Sequence, residues 1–143
     1  MKKYNYLEIA SFVEELMEKK ESAEIEFKSA AGGFPKAFWE TYSSFANTNG
    51  GTIVLGIKEK KGVFYVDSLT DELIDKYKKE FWSGVNNRDI VNLNLLSNDD
   101  VVDGELDGHK VLLFYIPRAA REQRPIYHTP NPYNGTYKRN HEG

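Results

Sequence analysis

The sequence predicts an α/β (α+β) fold, a mixed β-sheet with flanking helices. Three observations carry this. Apolar residues recur at helical spacing over residues 6–19 and 71–85. Two β-branched, nearly continuous apolar runs, TIVLGI and VLLFYI, have the pattern of strands buried on both faces. The pair Asp107-Gly108 between two strand-like segments is a two-residue hairpin signal, so the sheet contains antiparallel pairing.

Taken in order, residues 6–19 place Leu7, Ile9, Phe12, Val13, Leu16 and Met17 largely on one side, which predicts an amphipathic helix that packs the core. The stretch AEIEFK alternates, with Ile25 and Phe27 on one face and Glu24, Glu26 and Lys28 on the other, as in a half-buried strand. Gly32-Gly33 marks a loop. Pro35 suits the first turn of a helix, where its missing N–H is not needed. That helix has an apolar stripe of Phe38, Tyr42, Phe45 and Ala46 and stops at Asn47-Thr48-Asn49-Gly50-Gly51, residues that tolerate left-handed backbone. TIVLGI follows as a central strand, turned by EKKG into a short VFYV partner. Residues 71–85 form a helix with Thr70 as N-cap. Residues 86–98 fit neither pattern. Residues 100–106 and 109–117 form the Asp107-Gly108 hairpin, and from Arg118 onward the Pro, Gly and Asn content marks irregular chain, broken by RPIYHT and GTYKRN. Trp39 and Trp82 fall at helical core spacing and are read as packing.

The 143 residues suit a single domain, which at this length buries roughly two thirds of the surface its unfolded chain exposes. The absence of cysteine excludes disulfides and thiolate metal sites and favours a reducing, cytoplasmic setting. No segment approaches the ~20 apolar residues of a membrane span, so no membrane partner is expected. Net charge is -3, without the overall basicity usual in nucleic-acid binders. The charge is uneven, however: residues 117–143 carry five Arg or Lys against two Glu, or +3, leaving -6 for the first 116. Arg118, Arg121, Arg124, Lys138 and Arg139 are either a solvated loop or, folded onto one face, a basic patch.

Three segments occur in a recognisable order: ESAEIEFK from Glu21 to Lys28, FANTNGGTIVLGI from Phe45 to Ile57, and RPIY from Arg124 to Tyr127 with GTYKR from Gly135 to Arg139. Together they closely resemble the Alba-type domain shared by bacterial transcriptional regulators and eukaryotic Schlafen proteins, over about residues 8–140. The resemblance implies a mixed-sheet α/β fold, usually at the N-terminus of a longer chain, and a regulatory, DNA-binding role. Residues 1–143 are accordingly expected to be one Schlafen/Alba-like domain, the N-terminal part of a longer protein. Its similarity to those Schlafen proteins that cleave structured RNA implies a second role. In these a cluster of three carboxylates acts, the first two corresponding to Glu21 and Glu26 and the third falling nearest Glu59. Such a cluster would hold Mg²⁺ or Mn²⁺, because hard cations take oxygen ligands and a bound metal activates water. The chain departs from the pattern at Lys58-Glu59-Lys60-Lys61, where ammonium groups flank the third carboxylate. The alternative is structural: Glu21 caps or begins the strand, and Glu26 pairs with Lys28 or a tail arginine.

The asparagines and glycines of FANTNGG either let backbone N–H groups approach a phosphate, with Asn47 and Asn49 beside it, or simply stop the helix and turn the chain. No Gly-Lys-Ser or Gly-Lys-Thr follows them, so this is no P-loop and no ATP site is expected. Arg and Lys neutralise phosphates, and tyrosines stack on unpaired bases. The candidate nucleic-acid contacts are therefore Lys28, Asn47, Asn49, Arg118, Arg121, Arg124, Tyr127, Tyr137, Lys138 and Arg139, with Tyr133 a further stacking candidate. The expected partner is nucleic acid, DNA before RNA, bound without a cofactor unless the carboxylates hold a metal. A homodimer joined through an exposed sheet edge is compatible with this, as is a protein-interaction module that binds no nucleic acid. His109, His128 and His141 are too scattered for a metal site or catalytic triad.

Overall fold

A computed structural model describes residues 2–20 and 24–128. The elements are β1 (Lys2–Asn5), α1 (Tyr6–Lys20), β2 (Ile25–Lys28), α2 (Phe38–Ala46), β3 (Gly51–Leu55), β4 (Ile57–Lys60), β5 (Val63–Val66), α3 (Asp71–Val85), β6 (Val101–Leu106) and β7 (His109–Ile116). Short 3₁₀ turns at Asn98–Asp100 and Arg121–Gln123 complete it. The α+β class expected from the sequence is observed.

Among the described residues, seven strands form two sheets. The larger has the order β2-β3-β7-β6, the smaller β1-β5-β4. The β2–β3 pair is parallel, with α2 as its crossover, and the other pairs are antiparallel. Both faces of the larger sheet are covered, which is why TIVL and VLLFYI carry almost no polar side chains. On one face Ile53, Leu55, Leu112, Phe114 and Ile116 meet α2 and α3. On the other, Val54, Val111, Leu113 and Tyr115 meet Ile9, Val13 and Leu16 of α1 together with Tyr4, Ile57, Phe64 and Val66 of the smaller sheet.

The pattern leads one to expect TIVLGI to run as one strand into the hairpin with VFYV, and the structure corrects this: the strand ends at Leu55. Gly56 has φ +109, a conformation that L side chains rarely adopt, and there the chain leaves one sheet for the other. The hairpin is instead made by IKEK and VFYV, joined by Lys61 and Gly62, both with positive φ. The Asp107-Gly108 hairpin forms as expected, again with positive φ at both residues. Thr70 caps α3 by accepting the Leu73 N–H. β1 adds a strand the sequence reading lacks. In α1 the buried stripe is narrower than expected: Ile9, Val13 and Leu16 are buried, whereas Leu7 is 83% exposed and Met17 is also exposed. Trp39 stacks on Phe81 within an aromatic cluster that includes Phe38, Phe114 and Trp82, the packing role expected of both tryptophans.

Candidate nucleic-acid interface

The site is built at the end of the larger sheet where β3 begins and β7 ends. Gly51 pairs with Ile116, so the turn after α2 lies against the chain leaving β7. The approach is close: a Cβ on Gly50 would stand 2.6 Å from the Ile116 carbonyl oxygen, and Gly50 has φ +76. Only glycine satisfies both conditions.

Beyond β7 the chain is pinned to α2 and to the irregular segment after α3. The Ala119 N–H donates to the Ala46 carbonyl at 2.8 Å. The Asn47 side chain donates to the Ile126 carbonyl at 2.8 Å and accepts the Ile126 N–H at 2.8 Å, and the Ser43 hydroxyl donates to the same carbonyl at 2.6 Å. Asn92 makes the matching pair on the other side, accepting the Tyr127 N–H at 2.8 Å and donating to the Pro125 carbonyl at 3.2 Å. A short antiparallel bridge joins Val91 to His128. The segment carrying Arg118, Arg121 and Arg124 is thus an irregular chain held in place by side-chain-to-backbone bonds, those of Asn47 and Ser43 buried, so the cost of ordering its backbone falls on folding rather than on binding.

Arg118 and Arg121 are exposed and Arg124 is half-buried. Arg121 and Arg124 line a groove of about 330 Å³ with Asn47 and Pro125. Arg118 lines a second hollow of about 220 Å³ with Asn49, Gly51, Tyr115 and Pro117, and Asp100 stands in it as well. The Asp100 carboxylate accepts from the Ser97 backbone N–H and hydroxyl, which holds it at its own 3₁₀ turn.

The structure therefore brings together Asn47, Asn49, Arg118, Arg121 and Arg124. Asn47 is 4% exposed, with its amide engaged inside the protein, so its part is to position the arginine segment rather than to contact a ligand. Tyr127 is half-buried, its backbone paired with Asn92. Lys28 is set apart from the arginines. It pairs with Leu55 at the far end of β3, roughly 13 Å along the strand from Gly51. Asn92 and Ser43, which hold the segment, were missed by sequence reasoning because their bonding partners lie 35 and 83 residues away.

Of the carboxylates, Glu26 lies on β2 in register with Ile53, and Glu59 is exposed on β4 in register with Phe64. Among the described residues no group of three His, Asp or Glu is arranged to hold a metal ion. Glu21, Tyr133, Tyr137, Lys138 and Arg139 lie outside the described residues. No helix among the described residues is long and apolar enough to cross a membrane.

No curated protein matches the chain. The chain is similar to several solved structures, among them the following two. One is the solution NMR structure of the N-terminal domain of an "ATP-dependent DNA Helicase RecG-related Protein" from Nitrosomonas europaea, with 29% identity over 91% of this chain and 86% of that one and a TM-score of 0.63. The other, a Corynebacterium diphtheriae protein, shares 22% identity over 80% of this chain and 26% of its own, with a TM-score of 0.46. The family model described as Schlafen, AlbA_2 matches residues 21–143, which span all three sequence motifs, the parallel β2–β3 pair and the arginine segment. The chain belongs to the Schlafen, AlbA_2 family.

Proposed function

We propose that the domain binds nucleic acid, DNA in particular, and serves as the nucleic-acid-binding part of a transcriptional regulator. The observation that carries this reading is the arginine segment. Arg118, Arg121 and Arg124 are presented within seven residues, two of them exposed, on a chain anchored by Asn47, Ser43 and Asn92. Arginine is suited to phosphate because its planar fork donates two parallel hydrogen bonds and stays charged at every relevant pH. Asn49, exposed at the adjoining turn, supplies a neutral donor. The name of the Nitrosomonas relative, an ATP-dependent DNA helicase RecG-related protein, supports a nucleic-acid role.

The test is fluorescence anisotropy of labelled duplex DNA and hairpin RNA at low and moderate salt with Mn²⁺ present, the products then being run on a denaturing gel. The expected result is an intact probe and salt-sensitive binding, stronger for DNA. Arg121→Gln with Arg124→Gln should reduce the salt slope by about 1.8, two phosphate contacts at roughly 0.9 each. Binding that ignores salt, or survives the double substitution unchanged, would overturn the reading. Cleavage that stops on Glu26→Gln would replace it with a metal-dependent nuclease using Glu21, Glu26 and Glu59.

A further inference from the structure

The smaller sheet has two unlike faces. Tyr4, Ile57, Phe64 and Val66 point into the core and are buried. Side chains alternate across a strand, so the neighbours of these residues point outward. On β4 these are Lys58 and Lys60, on β5 Val63 and Tyr65, and on β1 Lys3 and Asn5. Register groups them into two rows running across the strands. Lys58, Tyr65 and Lys3 form one row, with Tyr65 in the middle, and Lys60, Val63 and Asn5 form the next. Neighbours within a row are about 4.8 Å apart, and the rows are separated by roughly 7 Å.

This outer face is cationic on a protein of net charge -3. Lys3, Lys58 and Lys60 are exposed, and Lys61 is exposed in the turn beside them. The only acidic residue in the three strands, Glu59, has the register of Phe64 and belongs to the opposite face. Glu8, just beyond β1, accepts the Asn5 N–H at 3.0 Å. Tyr65 is half-buried, and the Lys3 ammonium lies over its ring, 5.8 Å from the centroid, a cation–π contact on an exposed, flexible side chain that an arriving base would displace.

We infer that this face is a second nucleic-acid surface, one that takes a single strand. Its lysines would neutralise successive phosphates while Tyr65 stacks on an unpaired base. The pairing of a basic surface with an aromatic platform is what distinguishes a single strand from other polyanions: a duplex keeps its base faces stacked inside, and an acidic peptide has none to offer. No residue is shared with the arginine segment, which lies at an end of the other sheet. Lys3 lies on β1, outside the stretch of residues matched by the family model.

Anisotropy of a labelled oligothymidylate, which has no duplex structure, tests the inference on the whole chain. Lys58→Gln with Lys60→Gln should lower the salt slope by about 1.4, two single-strand contacts at roughly 0.7 each. Tyr65→Val, which keeps strand propensity, should weaken binding roughly tenfold, while Tyr65→Phe should restore it. Arg121→Gln with Arg124→Gln should leave oligothymidylate binding unchanged. Wild-type affinity in either the lysine or the Tyr65→Val variant would overturn the inference, as would poly-glutamate binding with the same lysine dependence and affinity. Loss of duplex binding alone in the arginine variant, with oligothymidylate retained, shows the two surfaces to be separate. Absence of duplex binding in the wild type, with oligothymidylate bound through Lys58 and Tyr65, would remove the arginine reading and leave this one standing.

Discussion

Asn47 fastens the arginine segment to α2 through two 2.8 Å bonds to one residue, Ile126, which is itself fully buried. Replacing it by Ala leaves the Ile126 N–H buried without its acceptor, so Asn47→Ala should cost about 2–3 kcal/mol in a denaturant titration and also weaken duplex DNA. A residue that only touched ligand would lower affinity and leave stability unchanged. The sequence marked Asn47 as special through FANTNGG but could not say why, because the partner is 79 residues away. Tyr42 is similar. Its hydroxyl donates to the Leu93 carbonyl at 2.8 Å and accepts the Leu95 N–H at 2.9 Å, and burial pushes its pKa well above the ordinary 10.0. The folded phenol therefore stays protonated where the unfolded one ionises, so this contribution is complete below pH 10.0 and is lost as pH rises beyond it. Tyr42→Phe should flatten the decline of stability measured above that pH. Its place in the apolar stripe was readable from spacing, whereas its bonds to the irregular 93–95 segment were not.

At the scale of elements, helices of sustained periodicity and glycine turns were the most legible parts. α3 runs over the residues expected, and the Thr70 cap is where the sequence put it; Thr70→Ala should cost about 1 kcal/mol. The break at Gly56 was hidden because TIVLGI is apolar on both sides of it, and a continuous apolar run gives no sign that its two halves serve different sheets. Gly56 has φ +109, and a Cβ placed there would stand 3.2–3.3 Å from side-chain atoms of Leu69. Gly56→Ala should therefore destabilise by about 1–3 kcal/mol, read as a drop in Tm. β1 was overlooked since KKYN has a single apolar residue, Tyr4, and its pairing with β5 is set by tertiary contact rather than by pattern. The 86–98 segment fitted neither period because side-chain-to-backbone bonds, such as those of Asn92 and Tyr42, hold it in place of a ladder.

At the scale of the whole molecule, an acidic chain presents positive charge, among the described residues, on the arginine segment at one end of the larger sheet and on the lysine rows outside the smaller one. The first was legible as a compositional shift after residue 117. The second was not, because Lys58 and Lys60 read as charges flanking Glu59, and only the register of β1, β5 and β4 assembles them around Tyr65. Total charge is a poor guide here, since Coulombic attraction at moderate salt acts over about 8–10 Å and the ligand meets local patches. The most direct test is the dependence of duplex DNA affinity on salt for the unmodified protein. Contacts from Arg118, Arg121 and Arg124 should give log Kobs against log salt a slope of about -2.7. A slope indistinguishable from zero, or no binding at low salt, would contradict the assignment of this domain to nucleic acid.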